Sequence, residues 1–160
     1  MTCSDTKRKG SKVAMNDEIV YLNKRAILKH PDWIVKLVHP ELDLYGPGAY
    51  SIKSVAQWLH EYQRKGIPIL GSRIYAELKQ SGELKYHLGL RDMIAIQKKG
   101  VEFYRKHFHG KYVFGWKGLV LWETGDMGVS YLFENEANVV LGSYLLQSHW
   151  LGNFVGLRHT

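Results

Sequence analysis

The apolar residues of this chain change period at Gly110, and that change constrains the fold more than any other feature. Before it they recur every three to four residues, as on one face of a helix. After it, strand-forming residues run together or alternate. Tyr112–Trp116 and Leu119–Trp122 are rich in β-branched and aromatic side chains. Thr124-Gly125-Asp126 has turn composition. Met127–Phe133 then sets Val129, Tyr131 and Phe133 against Gly128, Ser130 and Leu132. Glu134-Asn135-Glu136 is a second turn, and Asn138–Leu146 supplies another strand. Connections this short suit antiparallel neighbours, because a parallel crossover needs roughly a dozen residues. The pattern therefore predicts an antiparallel meander of three to four strands.

The preceding part reads as helical. Asn16 is placed to cap a helix that begins at Asp17-Glu18, buries Ile19, Leu22, Ala26 and Ile27, and ends by Pro31. Asp32–Val38 is a short apolar run that composition assigns to neither strand nor helix. Tyr45-Gly46-Pro47-Gly48 is a break. Ser51 then caps a helix with Ile52, Val55, Trp58, Leu59 and Tyr62 on one face, stopped by Gly66 and Pro68. Ser72–Ser81 is a further helix, with Gly82 placed as a left-handed cap. A longer helix spans Leu90–His109. Gly100 within it costs about 1 kcal/mol relative to alanine and marks a point of breakage or kinking. The expected fold class is α+β: an N-terminal helical region (17–110) packed against a C-terminal β-meander (111–150), in one domain (17–160) behind a flexible basic tail (1–16).

Length and composition agree with one domain. At 160 residues, with 45% hydrophobic and 23% charged residues, the chain can build a core and is not disordered throughout. Its single cysteine, Cys3, excludes an internal disulfide and favours a reducing compartment, here taken as the cytoplasm. The tail is basic but no apolar stretch follows it as in a secretory signal, and no run approaches the roughly 18 apolar residues of a membrane span. Charge is uneven. The net +7 divides into +10 over residues 1–117 and −3 over 118–160, a polarity that suits an anionic partner for the first part.

Ser54-Val55-Ala56-Gln57-Trp58-Leu59, followed by Arg73–Leu84 with its Ser81-Gly82-Glu83-Leu84 exit, resembles small winged-helix proteins of the excisionase type. The resemblance implies that the second helix reads a DNA groove through Arg73, Lys79 and Gln80, with Lys53, Arg64 and Lys65 on phosphates. The connector His60–Leu70 departs from that pattern, being longer than the usual turn of about 3–4 residues. A second basic set, Lys98, Lys99, Arg105, Lys106 and Lys111, is interleaved with Tyr104, His107 and His109, a mixture suited to nucleic-acid backbones and bases.

Other chemistry has thinner support. His107 and His109 form the closest histidine pair, with His149 and His159 later, but no third ligand stands at metal-binding spacing, so no metal or other cofactor is expected. Cys3 sits in a tail that cannot hold a nucleophile, and phosphate-cradling glycine loops are absent. Glu102, Glu123 and Asp126 could meet histidines only through folding, which leaves an enzyme of dispersed residues as one alternative. Trp116, Trp122, Tyr131, Phe133, Tyr144 and Trp150 form a partner surface if one face of the meander is exposed, which makes protein binding or self-association another. The leading expectation is an accessory protein that binds DNA or RNA through a basic helical face, without a membrane.

Overall fold

The computed structural model describes residues 18–160. The expected tail, its Cys3 and the cap at Asn16 lie outside the described residues. The architecture is mostly sheet and corrects the expected fold class. A six-stranded mixed sheet, to which the first half of the chain contributes strands, replaces a helical region packed on a simple meander.

The spine of the sheet is β6 (Tyr112–Trp122), whose residues from Val113 to Val120 are all buried. On one side it pairs antiparallel with β7 (Met127–Asn135), which pairs antiparallel with β8 (Asn138–Leu145). These hairpins are the part of the meander that local sequence encodes. On its other side β6 is shared. Its first residues pair with β10 (Phe154–His159), in parallel, and its last pair antiparallel with β2 (Ile34–Leu37). The outer neighbour of β10 is β4 (Val55–Trp58).

The expected helix Ser51–Tyr62 is therefore not formed. Ser51 does cap, its Oγ accepting from the Lys53 amide, but only a single tight turn over Ile52–Ser54 follows before the chain extends into β4. The expected helix from Asp17 is also replaced. Ile19–Tyr21 is β1, paired with β3 (Ala49–Ser51), and Ile27, assigned to a buried stripe, is 91% exposed. In both places a strand partner distant in sequence overrides helical spacing.

Helices cover both faces. α3 (Gly71–Ser81) packs Ile74 and Leu78 against Phe114, Trp116, Leu119, Val129 and Trp150. It ends at Gly82, whose φ of 76° is the left-handed cap its position predicts. On the other face, α4 (Leu90–Lys98) and α5 (Val101–Phe108) bury Met93, Ile96, Phe103 and Tyr104 against Val113, Val120 and Leu132. The continuous helix expected there breaks at Gly100, whose φ is 93°. Two single-turn helices, α1 (Pro40–Asp43) and α2 (Glu61–Arg64), and a small sheet of β5 (Ile69–Leu70) with β9 (His149–Trp150) complete the fold. No helix among the described residues is long and apolar enough to cross a membrane.

One irregularity positions everything that follows. The pairing of β6 with β7 shifts between Gly115 and Leu119, so Trp116, Lys117 and Gly118 bulge from the ladder. The start of α4 fills the space beside them: Lys117 N donates to Leu88 O at 3.1 Å. A Cβ on Gly118 would stand 2.1 Å from Ser130 Oγ and 2.8 Å from Leu90 N. Gly118→Ala is expected to lower unfolding free energy by about 1–3 kcal/mol, read as a lower urea midpoint at unchanged slope.

Candidate nucleic-acid interface and the ionic centre behind it

The fold separates the basic residues singled out from sequence. Arg73 and Lys79 belong to α3 on one face of the sheet; Lys98, Lys99, Arg105 and Lys106 belong to α4 and α5 on the other. Many of them have partners inside the protein. Arg73 stands 3.5 Å from Glu77 and lies over the Tyr62 ring, and Lys79 lies over Tyr75. Lys65 pairs with Glu61 at 2.9 Å, beside the exposed Arg64. Arg105 is held by Glu134, and Lys106 by Glu18. Lys53 lies close enough to Glu18 to lower its pKa further. With Ser51–Trp58 in a turn and a strand, the helix pair that the excisionase resemblance requires is absent.

What the fold does assemble is a cleft of about 480 Å³ between α4 and the segment 21–29. Arg91, Ile94, Ala95, Lys98 and Lys99 recur at helical spacing along one face of α4, while Leu90, Met93 and Ile96 occupy the buried face. Across the cleft stand Lys29, Tyr21 (63% exposed) and the exposed Ile27. Among the described residues, four cationic side chains line it and no carboxylate does. Lys99 also lies over the Phe103 ring, which orients it. Lys29 and Ile94 continue into a second hollow of about 570 Å³, which runs past His30 and Gln97 to the edge strand β8.

Arg91 builds this cleft. Its Nη1 donates to the carbonyls of Asn23 (2.6 Å) and Ala26 (3.0 Å), which pins the segment opposite to α4. Asn23 Oδ1 tightens the same turn by accepting from the amides of Arg25 and Ala26. Behind Arg91, Asp43 Oδ2 lies 3.8 Å from its Nε, within reach of charge attraction but too far for a hydrogen bond. Asp43 Oδ1 accepts from the Arg91 amide.

Asp43 belongs to a buried ionic centre at the bulge. Lys117 is fully buried, and its ammonium donates to Tyr45 O at 2.7 Å. Burial lowers its pKa, while Asp92 and Asp43 oppose that shift. Burial raises that of Asp43. Asp92 spends both oxygens: Oδ2 accepts from Gly89 N, closing the first turn of α4, and Oδ1 accepts from Tyr50 OH at 2.6 Å. The His159 ring packs edge-on to Tyr50 at 4.7 Å, its pKa lowered by burial. Lys24 adds a second ammonium on the carbonyls of Leu44 and Gly46. The carbonyls and the ammonium groups hold one another, so this centre serves as structure behind the cleft wall. Sequence reasoning missed it, since nothing local separates Lys117 from a surface lysine.

The aromatic residues also divide. Trp116 and Trp150 are 1% and 0% exposed and pack on each other at 5.1 Å, so they belong to the core rather than to a partner surface. Tyr131, Phe133, Tyr144 and Trp122 are partly buried. His107 stands 3.1 Å from Glu18, and His109 3.7 Å from Glu134. No three His, Cys, Asp or Glu side chains converge as metal ligands among the described residues.

Two outcomes test the centre and its surroundings. Lys117→Met leaves the Tyr45 carbonyl without its donor and removes the buried positive charge that acts on Asp92 and Asp43, and is expected to cost about 1–3 kcal/mol in urea unfolding. His87 is fully buried, and neither ring nitrogen has a hydrogen-bond partner among the described residues. Burial, then Arg158 and Lys117, lowers its pKa from 6.5 to about 3. The unfolded chain therefore takes up a proton that the fold refuses, and stability falls as pH drops from 6.5 towards 3. The slope approaches about 1.4 kcal/mol per pH unit, and His87→Leu should flatten it in urea midpoints measured across that range.

The chain matches no protein-family model, no curated protein and no solved structure, so the groups assembled here are what its function is read from.

Proposed function

We propose that the protein is a cytoplasmic accessory protein that binds nucleic acid as a single strand in the cleft between α4 and residues 21–29. The observation that carries this reading is the lining of that cleft: Lys29, Arg91, Lys98 and Lys99, with no carboxylate among the described residues. Cations arrayed along a groove attract successive phosphates and release their counterions. Tyr21 offers an exposed ring on which a base can stack, the usual partner of basic groups in single-strand recognition. The continuation past Lys29 and His30 gives a strand somewhere to run. Arg91, committed to two carbonyls, shapes the groove and adds to its field; Lys29 and Lys98 would contact phosphates directly.

The test is a fluorescence-anisotropy titration of labelled single-stranded and duplex DNA and RNA at several salt concentrations. Single strands should bind more tightly than duplex. With about two phosphates contacted, the logarithm of affinity should fall with the logarithm of salt at a slope of about −1.4. Lys29→Glu and Lys98→Glu should each weaken binding about tenfold or more, whereas Arg73→Glu, on the opposite face, should leave it within about twofold. Binding that ignores ionic strength, or is lost equally with Arg73→Glu, would overturn the assignment.

A further inference from the structure

We propose that the hollow between Trp33 and Trp122 is a binding site for a methylated ammonium group. It has a volume of about 660 Å³ and is lined by the two tryptophans, Asp32, Glu123 and the β8 residues Leu141 and Ser143. It lies beyond the basic cleft, past the hollow with which it shares Leu141.

The register of the sheet makes the site. Ile34 pairs with Trp122, which brings Trp33 and Asp32 alongside Trp122 and Glu123 at the end of β6. Trp122 is fixed in place. Its indole lies across Gly128, where a Cβ would stand 2.6 Å from Cζ2 and 2.9 Å from Cε2. Its Nε1 donates to Ser143 Oγ at 2.9 Å. The in-plane donor is thus satisfied inside the protein, and what the ring offers a ligand is its electron-rich face. Trp33 is 39% exposed in the turn before β2.

The charge of the occupant follows from Asp32 and Glu123. Both are exposed, and neither forms an ion pair among the described residues, although most acidic residues elsewhere in the fold do. Two indoles and two carboxylates without an ion pair among the described residues favour a cation and repel phosphate, so nucleic acid is not the ligand here. Methylation suits the chemistry: it spreads the charge over an apolar surface that loses little hydration on contact with aromatic rings, whereas a bare ammonium must shed strongly held water.

The experiment is isothermal titration calorimetry of the full chain with choline, with trimethyl-lysine in a short neutral peptide, and with 3,3-dimethylbutanol, in which carbon replaces the charged nitrogen of choline. Saturable binding of either cation is expected, with the neutral analogue at least about tenfold weaker. Trp33→Ala and Glu123→Gln, both at exposed positions, should each weaken the cation by about tenfold while leaving the unfolding midpoint and the nucleic-acid titration unchanged. A preference for the peptide identifies a modified protein segment as the source; a preference for choline identifies a free or lipid-borne headgroup. Absence of binding by both cations, equal binding of the neutral analogue, or unchanged affinity in both variants would overturn the proposal. Because the variants leave Lys29 and Lys98 intact, failure here is distinguishable from failure of the basic cleft.

Discussion

A fully buried ammonium group has to be solvated by protein, and around Lys117 that requirement organises the molecule. The bulge in β6 turns this lysine inward, and the Tyr45 carbonyl accepts a hydrogen bond from it. Asp92 supplies opposite charge and at the same time caps α4, so the helix begins where the ion network needs it to begin. Asp43 extends the network to Arg91, and Arg91 pins the segment that forms the far wall of the basic cleft. Burying one charge this way is costly unless every neighbour stays in position. The same cost makes the geometry specific.

How much of this was legible depends on whether the causes are local. The β6–β7–β8 hairpins and helix α3 with its Gly82 cap could be read, because turn residues, alternation and caps act over a few positions. The break at Gly100 follows from a glycine that tolerates a φ of 93°. The strands of the first half could not be read. β1, β3 and β4 have three or four residues each, too short for a period to show. Val55 and Trp58 stand three apart as helical partners do, and only the arrival of β10, about a hundred residues later, makes them strand. The cleft is hidden for a related reason. Lys98 and Lys99 read as basic at once, but their apposition to Lys29 depends on Arg91 gripping two carbonyls.

The two hollows at opposite ends of the α4–β8 groove differ in sign. Among the described residues, one is walled by lysines and arginine without carboxylates, the other by carboxylates and indoles. The net positive charge of the chain conceals this division. Fields of opposite sign this close together partly cancel at a distance, so each hollow acts on what is already near it, and salt screens both.

The parallel pairing of β10 with β6 bears on how the fold is reached. β10 is the strand that joins β4 to the rest of the sheet. Until residues 154–159 dock, β4 has no ladder partner and the residues around it have no covered face. Among the described residues this ladder joins the strands most distant in sequence, and closing a loop of that length carries an entropic cost that slows folding. Until that closure, the unpaired strand presents an edge on which another chain can pair.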